Sequence, residues 1–457
     1  MASIRYLSGL YAGKAANTGI RMLRRAGGYY PGVISQKLDP KYLSHMAKPK
    51  RIIAVTGTNG KTTTSNLILD ILRRKGEKPA NNSLGSNTIY GILTSLSQNL
   101  DALGRKKSEI AVLEVDEQYT PHIFRDAPPE ILAVTNIYQD SYKRNAHTDF
   151  IRDIIARSFP KGTKLVLNGD DLISSTMGPD NPRVLFGIDP LPGEAEQKAS
   201  RLKDLVYCPV CGEKLVWDFV RYHHMGRAHC DACGFKNGEI KYRVVDCDFD
   251  QMEFTLLEGD AQYKVPLSLR SVEGIYNQLT AFSVLREFGM EPDEIITAMR
   301  GLRVVESRFN SMEKNGKRIC LIAAKGINPI ANSRVIDAIR NSKGKKTVII
   351  MNDNSVRRIY SEMFSWIYDT DFECLNNEDL NKLIFASWKC QDFKVRCLLG
   401  GFPEDKLIAI PDHRETADYV DANAWEDVYI LHDIEGLSIE RAAKVRDEIF
   451  ARMETVQ

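Results

Sequence analysis

The stretch Val55-Thr56-Gly57-Thr58-Asn59-Gly60-Lys61-Thr62-Thr63 limits the fold more than any other part of the chain. The apolar run Arg51-Ile52-Ile53-Ala54-Val55-Thr56 leads into it, and helical periodicity leaves it from Thr62 to Arg74. A strand that delivers the chain to a glycine turn and then to a helix opens a parallel βα unit. Glycine lets backbone amides approach an anion, and the helix N-terminus adds further donors and its dipole. In such a frame Lys61 brings a point charge to the β- and γ-phosphates of a nucleoside triphosphate, and the hydroxyl of Thr62 can ligate Mg²⁺. Gly57 lies three residues before Gly60, shorter than the usual GxxxxGK[ST] spacing. A plain structural βα turn is the alternative.

Further buried-strand candidates follow at Ile110–Val115, Ile131–Asn136 and Lys164–Asn168, alternating with helical patterns. This predicts an α/β fold with a mainly parallel sheet. Short alternating runs at Ile240–Val245 and Met252–Leu257 predict antiparallel strands, and helical patterns occupy 275–300. A second α/β alternation begins at Arg318–Ala323, continues through Thr347–Met351, Leu383–Phe385, Leu407–Ile410 and Val428–Leu431, and ends in a charged helix at 437–454. The length of 457 residues suits two to four domains. Sixty-two Lys+Arg against 60 Asp+Glu gives no bulk attraction to nucleic acid. No apolar run reaches membrane-spanning length and no secretory leader is seen, so a cytoplasmic chain is expected.

The nine cysteines do not form a disulfide framework. Four of them make two knuckles, Cys208-Pro-Val-Cys211 and Cys230-Asp-Ala-Cys233, eighteen residues apart. Each CxxC turn aims two thiolates at one point, and Gly212 and Gly234 follow where the turn needs positive φ. The spacing predicts a closed structural Zn²⁺ site. His223, His224 and His229 lie between the knuckles; with four thiolates already completing the cage, they are expected at the surface. Residues 1–50 carry nine Lys or Arg, with Arg51 a tenth at the edge, against the single acid Asp39. Ile4, Leu7, Leu10, Tyr11, Ile20 and Leu23 recur at helical spacing. Such a helix either packs on the next domain or rests on an anionic membrane surface.

Gly57–Thr63 resembles the ATP loop of the Mur ligases, and later segments fall in that family's order. Leu113-Glu114-Val115-Asp116-Glu117 resembles the strand end whose glutamate holds Mg²⁺. Thr135-Asn136-Ile137-Tyr138-Gln139-Asp140 resembles the TNI-x-x-D segment, Leu167-Asn168-Gly169-Asp170-Asp171 the N-A-D-D turn, and Gly274-Ile275-Tyr276-Asn277 a nucleotide-contacting helix start. Taken singly, Glu114 reads equally well as a surface acid, and Asn136 and Asp140 as helix caps. Ser141 replaces the histidine of the peptide-adding ligases, and residues 155–158 offer no lysine of the kind those ligases carbamylate. The resemblance therefore does not carry over a second Mg²⁺ site.

A four-cysteine ribbon inserted in the middle domain marks the MurT subfamily. Tyr30-Pro31-Gly32-Val33-Ile34, Leu38-Asp39-Pro40 and Phe364-Ser365-Trp366-Ile367-Tyr368-Asp369-Thr370-Asp371-Phe372-Glu373 resemble it too. The resemblance implies three parts: a basic N-terminal segment (1–50), a Mur-ligase-like ATP-binding middle domain (51–302) with the ribbon at about 205–237, and a Rossmann-like α/β C-terminal domain (303–457).

It further implies ATP bound by Gly57, Thr58, Asn59, Gly60, Lys61, Thr62, Thr63 and Asn277, and Mg²⁺ held by Thr62 and Glu114. Zn²⁺ would sit on Cys208, Cys211, Cys230 and Cys233. Catalysis would fall to Lys61 and Asp369, the alternative being that Asp369, Asp371 and Glu373 cap or decorate a helix start. Arg308, Lys325 and Asn328 are weaker matches, in altered contexts. The implied activity is amidation of the D-glutamate α-carboxylate of a peptidoglycan stem peptide, as in lipid II. No cysteine has a glutaminase context, so ammonia would come from a GatD-type glutaminase partner. An amino-acid-adding ligase and a non-catalytic ATP-binding scaffold are the rival readings.

Overall fold

The computed structural model describes residues 4–455 apart from 24–27, 84–85, 140–146, 192–202, 204, 303–308, 315–316, 353–363, 422–426 and 435. Asp140, Ser141 and Arg308 lie outside the described residues. The chain forms two compact units, one of Met1–Gln139, Ala146–Ala199 and Lys203–Val304, the other built on Val305–Gln457.

The first unit contains strands β1 (Arg51–Thr56), β2 (Ala80–Asn81), β3 (Ile110–Glu114), β4 (Ile131–Val134), β5 (Lys164–Asn168), β6 (Arg183–Ile188), β7 (Val216–Tyr222), β8 (Met225–His229), β9 (Tyr242–Asp248), β10 (Glu253–Glu258) and β11 (Ala261–Pro266). Nine of them form one sheet in the order β11-β10-β9-β6-β5-β4-β1-β3-β2. Pairing from β2 through β9 is parallel, and β9-β10-β11 is antiparallel. Strand β1 lies between β3 and β4, with Val55 opposite Glu114 on one side and Ala133 on the other. The sheet therefore reverses its winding at β1. Crevices at such switch points, beyond the carboxyl ends of the strands, receive ligands.

The Val272–Phe288 helix is buried nearly all round, which is why its sequence lacks a polar stripe. Ser271 caps it by accepting from the Gly274 amide, and Gly289 ends it at φ 105°. Glu287 ties the helix to the sheet through Lys164 Nζ (2.8 Å), Lys241 Nζ (2.7 Å) and Tyr242 Oη (2.7 Å). Burial pushes the Glu287 carboxyl up, but the hydrogen bonds from Lys164, Lys241 and Tyr242 outweigh it and bring it down to about 2. A pKa depressed on folding gives stability that is present above the unfolded value, about 4.3, and fades as pH falls toward the folded one. Glu287→Gln is expected to cost about 2 kcal/mol at neutral pH. In denaturant titrations the gap from wild type should close between pH 4 and about 2.

The N-terminal Ile4–Met22 helix packs on this unit. Its buried Gly9 and Gly13 meet the Tyr30–Leu38 helix, where a Cβ on Gly13 would fall 2.2 Å from Ser35 Oγ, and its buried Tyr6 stacks on Tyr42. Lys14 donates to the carbonyls of Leu100 (2.6 Å) and Asp101 (2.8 Å), just past the Ile89–Gln98 helix, and Arg21 reaches Gln98. Part of the basic bias is thus gathered at and just past a helix C-terminus, where positive charge meets the negative end of the helix dipole. Ile4, Met22, Leu23 and Tyr30 remain exposed. Among the described residues, no helix is long and apolar enough to cross a membrane.

The second unit holds β12 (Phe309–Lys314), β13 (Lys317–Ala323), β14 (Lys346–Ile350), β15 (Leu380–Ala386), β16 (Leu407–Ile410) and β17 (Asp427–His432) in the order β12-β13-β17-β14-β15-β16. All pairs are parallel except β12-β13. Apolar residues cover both faces, with Trp366, Phe372 and Phe393 on one and Val445, Ile449 and Phe450 on the other.

Candidate active site

Strand β1 ends at Thr56, and the loop Gly57–Gly60 turns into the Lys61–Arg74 helix. Gly57 and Gly60 take φ of 120° and 84°, conformations that favour glycine. A Cβ on Gly57 would lie 2.4 Å from Thr135 Oγ1, and one on Gly60 2.3 Å from Asn277 Oδ1. No side chain caps the helix, and its first intrahelical bond is Thr64 N to Gly60 O at 2.9 Å. The amides of Lys61, Thr62 and Thr63 therefore open outward as an anion-binding end. Within the loop, Asn59 Nδ2 is a buried donor without a protein partner. The exposed Thr62 stands beside Lys61. These features fit a polyphosphate with its Mg²⁺.

The segment after β4 braces the loop. Thr58 N donates to Asn136 O (2.8 Å), Asn59 N to Asn136 Oδ1 (3.0 Å) and Tyr138 N to Thr58 Oγ1 (2.9 Å). Thr135 Oγ1 closes the strap by donating to Asn59 O at 2.7 Å. The T-N-I segment therefore shapes the phosphate loop. Asn277, on the buried Val272–Phe288 helix, reaches the same loop through Gly60 and Thr64.

Lys61 is held by the carbonyl of Gly57 and by Glu117 Oε1 at 2.9 Å. Burial works against its charge, but Glu117 foremost, then Asp116 and Glu114, more than offset it and hold the ammonium above the ordinary lysine range. Burial raises the Glu117 carboxyl as well, and Lys61 opposes that rise. Glu114, at the end of β3, is half-buried and accepts from Asn87 Nδ2 at 3.2 Å. Two acids therefore flank the loop, one tied to Lys61 and one at the strand end.

The four cysteines come together as one cluster. Their Sγ atoms all lie within 4.8 Å of one another, with Cys208–Cys233 at 3.6 Å and Cys211–Cys230 at 3.5 Å. A tetrahedral cage with Zn–S bonds near 2.3 Å spaces its sulfurs by about 3.8 Å, so the set fits zinc. Both knuckles turn identically: Gly212 N donates to Cys208 O and Gly234 N to Cys230 O, at φ 78° and 72°. The β7-β8 hairpin grows between them, over a small core of Leu172, Leu215 and Ala228. So small a core gives the hairpin little apolar support of its own.

In the second unit, Trp366 and Ile367 bury the short Ser365–Tyr368 helix in the core, and Phe372 follows. Asp369 is that helix's C-cap residue, whereas Asp371 precedes the short Phe372–Leu375 turn and Glu373 lies in it, so the alternative of decorating a helix start describes those two and not Asp369. Asp371 N donates to Ser333 Oγ (2.9 Å) near the start of the Pro329–Arg340 helix, on the side where the strands end. Glu373 is committed to the buried Arg396 at 2.9 Å. Asn328 caps the Pro329–Arg340 helix by accepting from Ala331 N.

Comparison with known proteins agrees with this arrangement. The family described as Mur ligase middle domain matches residues 55–188, and MurT ligase C-terminal matches 326–434. The chain is 29% identical over 422 residues to the lipid II isoglutaminyl synthase (glutamine-hydrolyzing) subunit MurT of Staphylococcus aureus strain COL, covering 92% of this chain and 93% of that one. The subunit of the same name from Streptococcus pneumoniae is 28% identical over 432 residues, covering 93% of each. The chain belongs to the Mur ligase family, in its MurT subfamily. Solved structures share the fold: a pseudomurein peptide ligase type C from Methanothermus fervidus (TM-score 0.67, 20% identity, 92% of this chain and 81% of that one) is one. MurF ligase from Thermotoga maritima in complex with ADP is another (TM-score 0.55, 19% identity, 92% and 85%).

Within this Mur ligase frame the structure departs from sequence expectation at two places. His223 and His224 are not at the surface: they are 7% and 1% exposed, packed on Tyr138 and Asp171. His229 alone is open, between Asp218 and Asp231. Their burial comes from docking the ribbon hairpin on the sheet, which residue type does not reveal. Glu117 carries little signal in the sequence beyond the acid pair Asp116-Glu117 just past β3.

Proposed function

We propose that the chain is the synthetase subunit of a lipid II isoglutaminyl synthase, an ATP-dependent carbon–nitrogen ligase. The observation that carries this is the likeness to MurT chains over 92% of the sequence, supported by matches to a Mur ligase middle domain and to a MurT ligase C-terminal domain in one polypeptide. The acceptor is the free α-carboxylate of D-glutamate in the stem peptide. It attacks the γ-phosphorus of ATP, ADP leaves, and an acyl phosphate results. Ammonia then displaces phosphate to give D-isoglutamine.

The loop amides and Lys61 hold the phosphates and offset the charge that develops on the transferring group. Thr62 and Glu114 are the residues to hold Mg²⁺, which supplies further neutralisation of that charge. Asn277 contacts the nucleotide. Asp369 orients ammonia and takes its proton. Cys208, Cys211, Cys230 and Cys233 hold Zn²⁺ in a closed, structural site.

Ammonia comes from a separate glutaminase subunit of the GatD type. Burial pushes the thiols of Cys247 and Cys320 up to about 11 and that of Cys397 to about 12, the reverse of an activated nucleophile. With lipid II, ATP and Mg²⁺, the purified chain should therefore form amide from ammonium at high concentration but not from glutamine, as read by mass spectrometry of the stem peptide. Glutamine-dependent product from this chain alone would refute the separate partner, and no product with either donor would refute the ligase. A lipid-linked acceptor places the work at the inner membrane face, in the cytoplasm.

A further inference from the structure

Two chains of buried contacts run from the ribbon hairpin to the phosphate loop and reach it from different sides. The first starts at the hairpin turn. His224 Nε2 lies 3.2 Å from Asp171 Oδ1, both side chains being fully buried. The other oxygen of Asp171 accepts the amide of Ile137 at 2.7 Å. Ile137 belongs to the strap that holds Thr58 and Asn59. The rings of Tyr222, His223 and His224 also cover the ring of Tyr138, with the His224 centroid 4.8 Å away.

The second chain starts on β7. Arg221 donates to Tyr276 Oη at 2.8 Å, and Tyr276 Oη donates to Asp170 Oδ2 at 2.6 Å. Arg227 of β8 also contacts Asp170. Tyr276 immediately precedes Asn277, whose side chain lies against Gly60. Burial drives the Tyr276 hydroxyl well above the ordinary tyrosine range, so it stays a donor. Asp170 and Asp171 are both fully buried. Both also accept backbone amides outside the hairpin, Asp170 that of Ile188 and Asp171 those of Ile173 and Ser174, so losing a hairpin partner would loosen these carboxylates without leaving them bare.

We propose that the four-cysteine insert is a positioning element of the phosphate loop, with His224 and Arg221 transmitting the order of the metal-closed hairpin to Thr58–Gly60. This rests on the reading of residues 57–63 as a nucleotide loop. The metal has no part in the reaction itself; its role is to hold the hairpin that holds the loop. His224 is therefore a positioning residue, acting through Asp171 and Ile137.

The test uses the full zinc-loaded chain and two readouts: amide hydrogen exchange in residues 55–64 without nucleotide, and affinity for a fluorescent ATP analogue. His224→Ala should speed exchange at Thr58 and Asn59 and weaken the analogue by about tenfold, an ordinary size for coupling between sites. Its KM for ATP should rise with kcat nearly unchanged. His224→Gln, whose side-chain amide can approach Asp171 Oδ1 as His224 Nε2 does, should restore most of both. Unchanged exchange in His224→Ala, or no restoration by glutamine, overturns the proposal.

If the alanine variant loses its metal, wild-type chain stripped by a chelator replaces it. Faster exchange at Thr58 and Asn59, with β10 and β11 unaltered, supports the coupling; identical exchange overturns it. If the wild-type chain binds no ATP analogue, the ligase reading fails, and exchange alone still decides whether hairpin and loop are coupled.

Discussion

Lys61→Ala is expected to lower ATP-dependent amide formation by at least about a thousandfold, equivalent to roughly 4 kcal/mol of lost transition-state stabilisation. The lysine stands where the helix start and the glycine turn gather donors, and its charge is held above the ordinary lysine range. The same substitution leaves Glu117, 6% exposed, without its 2.9 Å partner. An orphaned buried carboxylate destabilises, by about 3 kcal/mol here. Activity loss alone would then be ambiguous. The double variant Lys61→Ala with Glu117→Gln separates the two effects. It should regain most of the lost stability in denaturant titrations and none of the lost turnover. Turnover within tenfold of wild type in either variant would remove Lys61 from the mechanism.

What the sequence made legible follows from what is local. Gly57, Gly60 and Lys61 could be read because a strand, a turn and a helix start are short-range features, and the structure realises them with φ of 120° and 84° at the two glycines. The two CxxC knuckles could be read for the same reason, and their sulfurs meet as one cluster. The second α/β alternation and its closing helix, Gly436–Thr455, were visible as apolar runs and charged periodicity. Tertiary placement was not visible. His223 and His224 look like polar residues on an exposed ribbon until the hairpin is docked over Tyr138 and Asp171. Lys14 looks like part of a basic surface until its ammonium is found on the carbonyls of Leu100 and Asp101. Glu117 differs from Glu114 by one turn of backbone past β3, and only the fold shows which of the two faces Lys61.

The C-terminal acids allow a crossed prediction. Asp369 closes the Ser365–Tyr368 helix at φ −91°, ψ −6°. A carboxylate at a helix C-terminus meets the negative end of the peptide dipoles, a placement that does not favour stability. Glu373, four residues on, is paired with the buried guanidinium of Arg396, which also donates to Thr370 O at 3.0 Å. If Asp369 serves ammonia, Asp369→Asn keeps the fold, keeps ATP affinity, and lowers amide formation by about a hundredfold or more, as loss of a general base does. Glu373→Gln should do the reverse. It leaves Arg396 short of a charged partner and costs about 2 kcal/mol of stability, while amide formation at low temperature stays close to wild type. Measuring thermal unfolding, nucleotide affinity and amidation on both variants separates the roles. An Asp369→Asn chain with full amidation, or a Glu373→Gln chain that is stable but inactive, would transfer the catalytic assignment away from Asp369.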